Sequence, residues 1–419
     1  MGKINTIVLS VMTLFFVGCG DLSQPANEQV VGGKVVVDLD GENIKNSLIA
    51  AKVPGVDVNT TVYGYKAYKI PYSTIDEEGN TVAVSGLMVV PQGLPSALIA
   101  AKGYSTVSDD HGTIFSNAEA PVVIAGTNNA PDGSSIILSS LFGFVTLQPD
   151  YIGFGDSKDH YHPFVLKKSL ANATVDFIKA AQKFALDNQI NLNGQLFLTG
   201  YSEGGYAAMA TLQKIEQEGL LGTLPVTLAA PMAGPYAFEA LAMGVLSQPT
   251  VSVPSFMADV GYAYAIAHDE DVASVINEPY ASKLEGLLDG TKTRTEIDAE
   301  LTTVTTGVDG LFNPQFVNNF FTDPNHWFKK AAQENNLHNW VPQTAVRLIH
   351  CKGDDVIPYA ISELTQGTMT AMGASNVALV PVEETLGLPS LVGHADCGSL
   401  AYGVAGTIFA QNRKATVGY

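Results

Sequence analysis

Positive charge is scarce in this chain. Twenty-two Lys and Arg stand against 41 Asp and Glu over 419 residues, a formal net charge of −19. A surface that acidic repels phosphate backbones, which argues against a nucleic-acid partner. Cysteine is scarcer still: three residues, Cys19, Cys351 and Cys397, cannot build a disulfide scaffold. The 40 Gly and 21 Pro fall short of the low-complexity range, and no internal repeat breaks the chain into modules. No apolar run reaches the about twenty residues that a membrane span needs. What the chain does have is 46% hydrophobic residues, enough for a large buried core.

The longest apolar run, Ile7 to Val17, follows Lys3 and ends at Gly18-Cys19 before the polar stretch Gly20-Asp21-Leu22-Ser23-Gln24. A charged n-region, a short apolar core and a small residue before the break read as an export signal. The segment resembles the lipobox of bacterial lipoproteins, in which the cysteine becomes the acylated N-terminus. Phe16 stands where that motif usually carries Leu, and release by ordinary signal cleavage is the alternative. The expectation is a signal peptide over 1–18, lipidation at Cys19 and a flexible tether over 19–33. The protein is then exported, and held to the cell envelope or secreted.

From Thr61 to Ile70 and from Thr81 to Val90 the residues alternate like strands around the turn Glu78-Gly79-Asn80. Beyond about residue 97, strands and helices alternate. Phe144 to Leu147 and Gln195 to Leu198 read as short buried strands. Between them Leu170, Phe177, Ile178, Ala181, Phe184 and Ala185 lie on one helical face. Val226 to Leu228 and Ala345 to Ile349 read as further strands. Such repeats predict an α/β fold, a mostly parallel sheet flanked by helices. Strands are scarce over 239–343, a stretch too long to be a loop and read as an inserted helical cap. The core is thereby divided into 34–238 and 344–419.

Gly200-Tyr201-Ser202-Glu203-Gly204 is a G-x-S-x-G between a strand and a helix, the setting that gives the motif chemical meaning. A tight strand-to-helix turn presents the serine, and the flanking glycines remove side chains that would collide there. The backbone N–H of Glu203, at the helix N-terminus, then faces any oxyanion formed at Ser202. A serine hydroxyl needs a base, and the base an orienting carboxylate. In this strand–turn–helix topology the chain order is serine, acid, histidine. Gly353-Asp354-Asp355-Val356-Ile357-Pro358 follows a late strand and supplies the acid, Asp354 by its spacing to Ile357-Pro358, with Asp355 as the alternative. Of eight histidines, His394 alone lies beyond it, in Val392-Gly393-His394-Ala395, a setting that reads as a flexible loop. Cys351 and Cys397 each sit three residues from that acid and base, so contact of the pair would bring the thiols within reach of a disulfide.

Five segments together carry a family resemblance: His111 to Ser116, Pro149 to Gly155, His162-Pro163, Gly200 to Gly205 and His350 to Pro358. Spread in that order over nearly the whole chain, they resemble the α/β-hydrolases, in particular the secretory lipase family that includes the fungal lipase A type. The resemblance implies ester hydrolysis through an acyl-enzyme, no metal or organic cofactor, and a cap over the acyl pocket. It also implies that the Thr113 N–H, in His111-Gly112-Thr113, is the second oxyanion donor. Lys102-Gly103-Tyr104, in an extra stretch from Ala97, is the rival for that part.

The expected activity is an esterase or lipase acting on a small-molecule or lipid ester, with membrane contact through the lipid anchor alone. A peptidase or amidase of the same fold, or a non-catalytic hydrolase-like binding protein, are the alternatives. His160-x-His162 lacks the companion ligands of a metal site. Gly153-Phe154-Gly155 lacks the third glycine and helix start of a dinucleotide site. Phe312, Phe316, Phe320, Phe321 and Trp327 could line an acyl pocket or simply pack the cap.

Overall fold

The computed structural model describes residues 29–50, 56–128 and 133–419. The signal segment and Cys19 lie outside them. Ten strands form one sheet: β1 Gln29–Val30, β2 Gly33–Leu39, β3 Gly64–Ile75, β4 Thr81–Gln92, β5 Tyr104–Asp110, β6 Val145–Pro149, β7 Leu192–Tyr201, β8 Val226–Met232, β9 Val346–His350 and β10 Val377–Pro381. Their order is β1-β2-β3-β4-β6-β5-β7-β8-β9-β10. Pairing is antiparallel from β1 through β4 to β6, and parallel from β6 to β10. Parallel strands share one carboxyl edge, and loops leaving that edge converge.

Helices cover both faces. On one side the helices Lys167–Asp187 and Glu203–Gln217 bury Leu170, Phe177, Ala207 and Leu212 in the larger core. On the other, His394–Thr416 buries Leu400, Ala401 and Phe409, whose ring stacks on Phe197 of β7 at 4.7 Å. A sheet covered on both faces needs apolar residues on both, and Leu196, Phe197 and Leu198 are all buried.

Three sequence expectations change. The tether was expected to run to residue 33, but Gln29–Val30 and Gly33–Leu39 already pair as strands. Across a bulge between Val35 and Val37, Val35 packs in one core and Val37 and Leu39 in the other, which holds this edge on the sheet. The stretch from Ala97 to Tyr104 is a short helix, Ser96–Lys102, leading into the central strand β5. That strand went unread because its interior is polar: Ser105, Thr106, Ser108, Asp109 and Asp110 are all buried. Finally, His394 opens a 23-residue helix instead of lying in a loose loop.

The segment 239–343 contains helices, among them Pro254–Ala267, Pro314–Thr322 and Trp327–Glu334, and isolated bridges such as Thr250 with Val304. Phe312, Phe316 and Phe320 are buried against one another and Phe328, so this cluster packs the cap's own interior. Phe321 and Trp327 lie at its margin.

Candidate active site

Ser202 sits where β7 ends and the helix Glu203–Gln217 begins, with φ 60° and ψ −122°. Positive φ in a non-glycine residue is strained, and the neighbours enforce it. The Ser202 N–H donates to the Met232 carbonyl of β8 at 2.9 Å, and its own carbonyl accepts from Tyr206. A Cβ on Gly204 would stand 1.9 Å from the Asp110 carbonyl, and one on Gly200 2.4 Å from it. One on Gly205 would stand 2.2 Å from the Met232 carbonyl. The glycines therefore let the elbow press between β5 and β8, an approach no side chain permits.

His394 Nε2 lies 3.0 Å from Ser202 Oγ, and its Nδ1 lies 2.6 Å from Asp354 Oδ2. Four groups supply hydrogen bonds to the Asp354 carboxylate. Oδ2 faces both His394 and His350, the latter at 3.1 Å; Oδ1 accepts from the Val356 and Ile357 N–H groups at 2.9 and 2.7 Å. Burial alone would raise this acid, but the hydrogen bonds from His350 and His394 and the charge of His394 hold it well below the ordinary carboxylate range. Asp354 is thus a fixed anion.

The His394 backbone is braced from three sides. Asp355 Oδ1 accepts from the His394 N–H at 2.9 Å, and Tyr201 Oη donates to the His394 carbonyl at 2.7 Å. The Cys351–Cys397 disulfide ties the strand end that carries the acid to the first turn of the histidine helix. Sequence reading reached Ser202, Asp354, His394 and the cysteine pair, and the structure brings all five together. It missed His350. The signal was there, since a histidine four residues before the acid at a strand end can reach back to it, but chain order had set it aside.

The Gly112 backbone lies against the elbow: a Cβ there would stand 3.0 Å from the Tyr201 carbonyl and 3.7 Å from Ser202 Cβ. Thr113 follows directly. Gly103 lies instead against Asn191 and Asn193 at the start of β7, the far edge of the sheet, so its segment is removed from Ser202. The loop at 111–113 is anchored through His111, whose Nε2 lies 3.3 Å from the Asp150 carbonyl and whose carbonyl accepts from Tyr151 Oη. Burial lowers the His111 pKa.

A second ionisable cluster lies behind the elbow. His162 Nε2 donates to Glu203 Oε1 at 2.7 Å, and its Nδ1 donates to the Ile152 carbonyl at 2.8 Å. Two acceptors on one ring call for two N–H groups. Burial opposes the charge, but Glu203 prevails and the His162 pKa rises. Asp259, on the cap helix Pro254–Ala267, faces this pair; burial, against the attraction of His162, raises its carboxyl to about 8. Among the described residues no group of three or more His, Cys, Asp or Glu is arranged to hold a metal ion.

No family model and no curated protein matches the chain. Solved structures do. A Legionella pneumophila protein, described no further than as a hydrolase, superposes with a TM-score of 0.80 at 24% identity, over 93% of this chain and 99% of that one. The rice cell wall degrading esterase LipA of Xanthomonas oryzae gives 0.75 at 24%, over 94% and 98%. Candida antarctica lipase A in its closed state gives 0.57 at 18%, over 88% and 78%. With the strand order and the nucleophile-elbow geometry, these likenesses define the class: the chain has the α/β-hydrolase fold.

Proposed function

We propose that this protein is a serine hydrolase that cleaves carboxylic esters through an acyl-enzyme. The observation that carries the reading is the continuous chain Ser202 Oγ, His394 Nε2, His394 Nδ1, Asp354 Oδ2, with steps of 3.0 and 2.6 Å. In this reading His394 takes the Ser202 proton as the hydroxyl oxygen attacks the ester carbonyl. Asp354 fixes the tautomer that leaves Nε2 free to accept, then stabilises the imidazolium. The N–H groups of Glu203 and Thr113 receive the tetrahedral oxyanion; losing one such donor typically costs about 10²–10³ in rate. Collapse expels the alcohol, protonated by His394. Water, activated by the same base, then releases the acid.

Support for esters over amides comes from the esterase and lipase named among the structural neighbours. The acidic surface favours neutral esters over anionic lipid. The Cys351–Cys397 bond supports an exported setting, since disulfides persist in oxidising compartments; fractionation of cells expressing the chain tests it. The decisive assay pairs p-nitrophenyl esters from C2 to C16 with dipeptidyl amides. Ester turnover that falls on the order of a millionfold in Ser202→Ala is expected. Turnover of amides alone, or a Ser202→Ala variant as active as the parent, overturns the reading.

A further inference from the structure

Beside the elbow the cap and the oxyanion loop enclose a small cavity of ≈ 10 Å³, lined by Ile114, Phe115, Phe154, His162, Tyr262 and Asp259 among others. Ile114 and Phe115 directly follow Thr113. The cap helix Pro254–Ala267 reaches the same loop through Phe256, whose ring stacks on Phe115 at 5.9 Å. Asp259 lies three residues further along that helix, on the same face. It is 4% exposed, and among the described residues no hydrogen-bond donor or ion-pair partner reaches its carboxyl.

The imidazole donors around this cavity are already engaged, and the hydroxyl that lines it belongs to Tyr262. Both ring nitrogens of His162 are engaged, one by the Ile152 carbonyl and one by Glu203. Glu203 Oε2 is buried without a partner, and the Asp259 carboxyl lines the cavity beside it. Spare acceptors are present and spare imidazole donors are not. A buried carboxyl without partners is costly, and the missing complement is a compact donor. The space sits at the lower limit for one water molecule, so the complement is the size of a hydroxyl or a primary ammonium.

We infer that Asp259 forms a polar specificity subsite that receives a hydroxyl or ammonium group carried on the ester substrate. The inference rests on the esterase reading and adds the class of substrate: functionalised esters in preference to plain alkyl ones. Donation to a charged carboxylate makes the ammonium the stronger ligand, and donation to the neutral acid leaves the hydroxyl competitive.

The test is a series of methyl hexanoates carrying no group, a hydroxyl or an amine at carbon 3 or carbon 6, with kcat/KM measured for each. The protein should favour a donor-bearing ester over the plain one by about 10- to 100-fold at one of the two positions. That ratio should collapse towards one in Asp259→Leu. Asp259→Asn, which keeps one carbonyl oxygen, should abolish the ammonium preference and retain part of the hydroxyl preference. Which donor wins in the parent protein identifies the substrate group. A ratio near one at both positions means that the cavity holds water only, and a ratio that survives Asp259→Leu places the recognition elsewhere; either result overturns the subsite. Turnover of the plain ester, and its loss in Ser202→Ala, report on the esterase reading separately.

Discussion

Asp354 and Asp259 are the same residue type, both buried, and the fold treats them in opposite ways. Asp354, at the carboxyl edge of the sheet, is met by four hydrogen-bond donors and stays an anion far into acid. Asp259, offered by the cap, meets none among the described residues, and its carboxyl is pushed up to about 8. Burial costs both acids; the supply of donors decides which one carries charge. The core half of the site is therefore pre-organised around a fixed negative charge, while the cap half holds an unfilled acceptor.

The largest expected consequence of that contrast is in catalysis. Asp354→Asn should lower kcat by about 10⁴, because the amide no longer selects the tautomer that leaves Nε2 free. Rates on a p-nitrophenyl ester measure it, and a loss below tenfold would mean that Asp354 is structural. Smaller is the effect of His350→Leu, which removes one of the four donors. About 1–3 kcal/mol of stability should be lost, together with roughly tenfold in kcat. Urea denaturation and steady-state kinetics on the same sample read the two effects, and an unchanged kcat would restrict His350 to bracing.

The smallest effect has the opposite sign and depends on pH. The folded-state pKa of Asp259 lies above its unfolded value near 4, so the native state holds a proton that the unfolded chain releases. Its contribution to stability is present below the unfolded pKa and is lost as pH rises towards about 8. Asp354 behaves inversely, contributing at neutral pH and failing only as pH falls through its depressed value. Asp259→Asn should therefore stabilise the protein at pH 8 by on the order of 1 kcal/mol and make little difference near pH 4. Thermal unfolding at the two pH values measures it. Destabilisation at pH 8 would reveal a partner for the carboxylate and erase the contrast.

Much of the hydrolase half was readable from the chain because its constraints are local. The glycines at 200, 204 and 205 are required by backbone approach within one turn, and the order of Ser202, Asp354 and His394 follows from strands that share a carboxyl edge. Reading failed where polar residues do structural work. Strand β5 shows no apolar pattern, and three of its polar side chains find distant partners: Ser105 in Gln195, Asp110 Oδ1 in Thr174, and Asp109 in Tyr402. Those partners lie between 64 and 293 residues away, beyond any window of periodicity.

Residue types and their order were enough to single out Ser202, Asp354, His394 and the cysteine pair, because steric and topological rules for a strand–turn–helix elbow act over a few residues. Only the tertiary structure decided that His350 reaches Asp354, that Glu203 pairs with His162, and that Asp259 lies against the loop carrying Ile114 and Phe115. Each of these depends on the distance between segments remote in sequence, and electrostatic and hydrogen-bond energies are set by that distance and by exclusion of water, neither of which residue identity encodes.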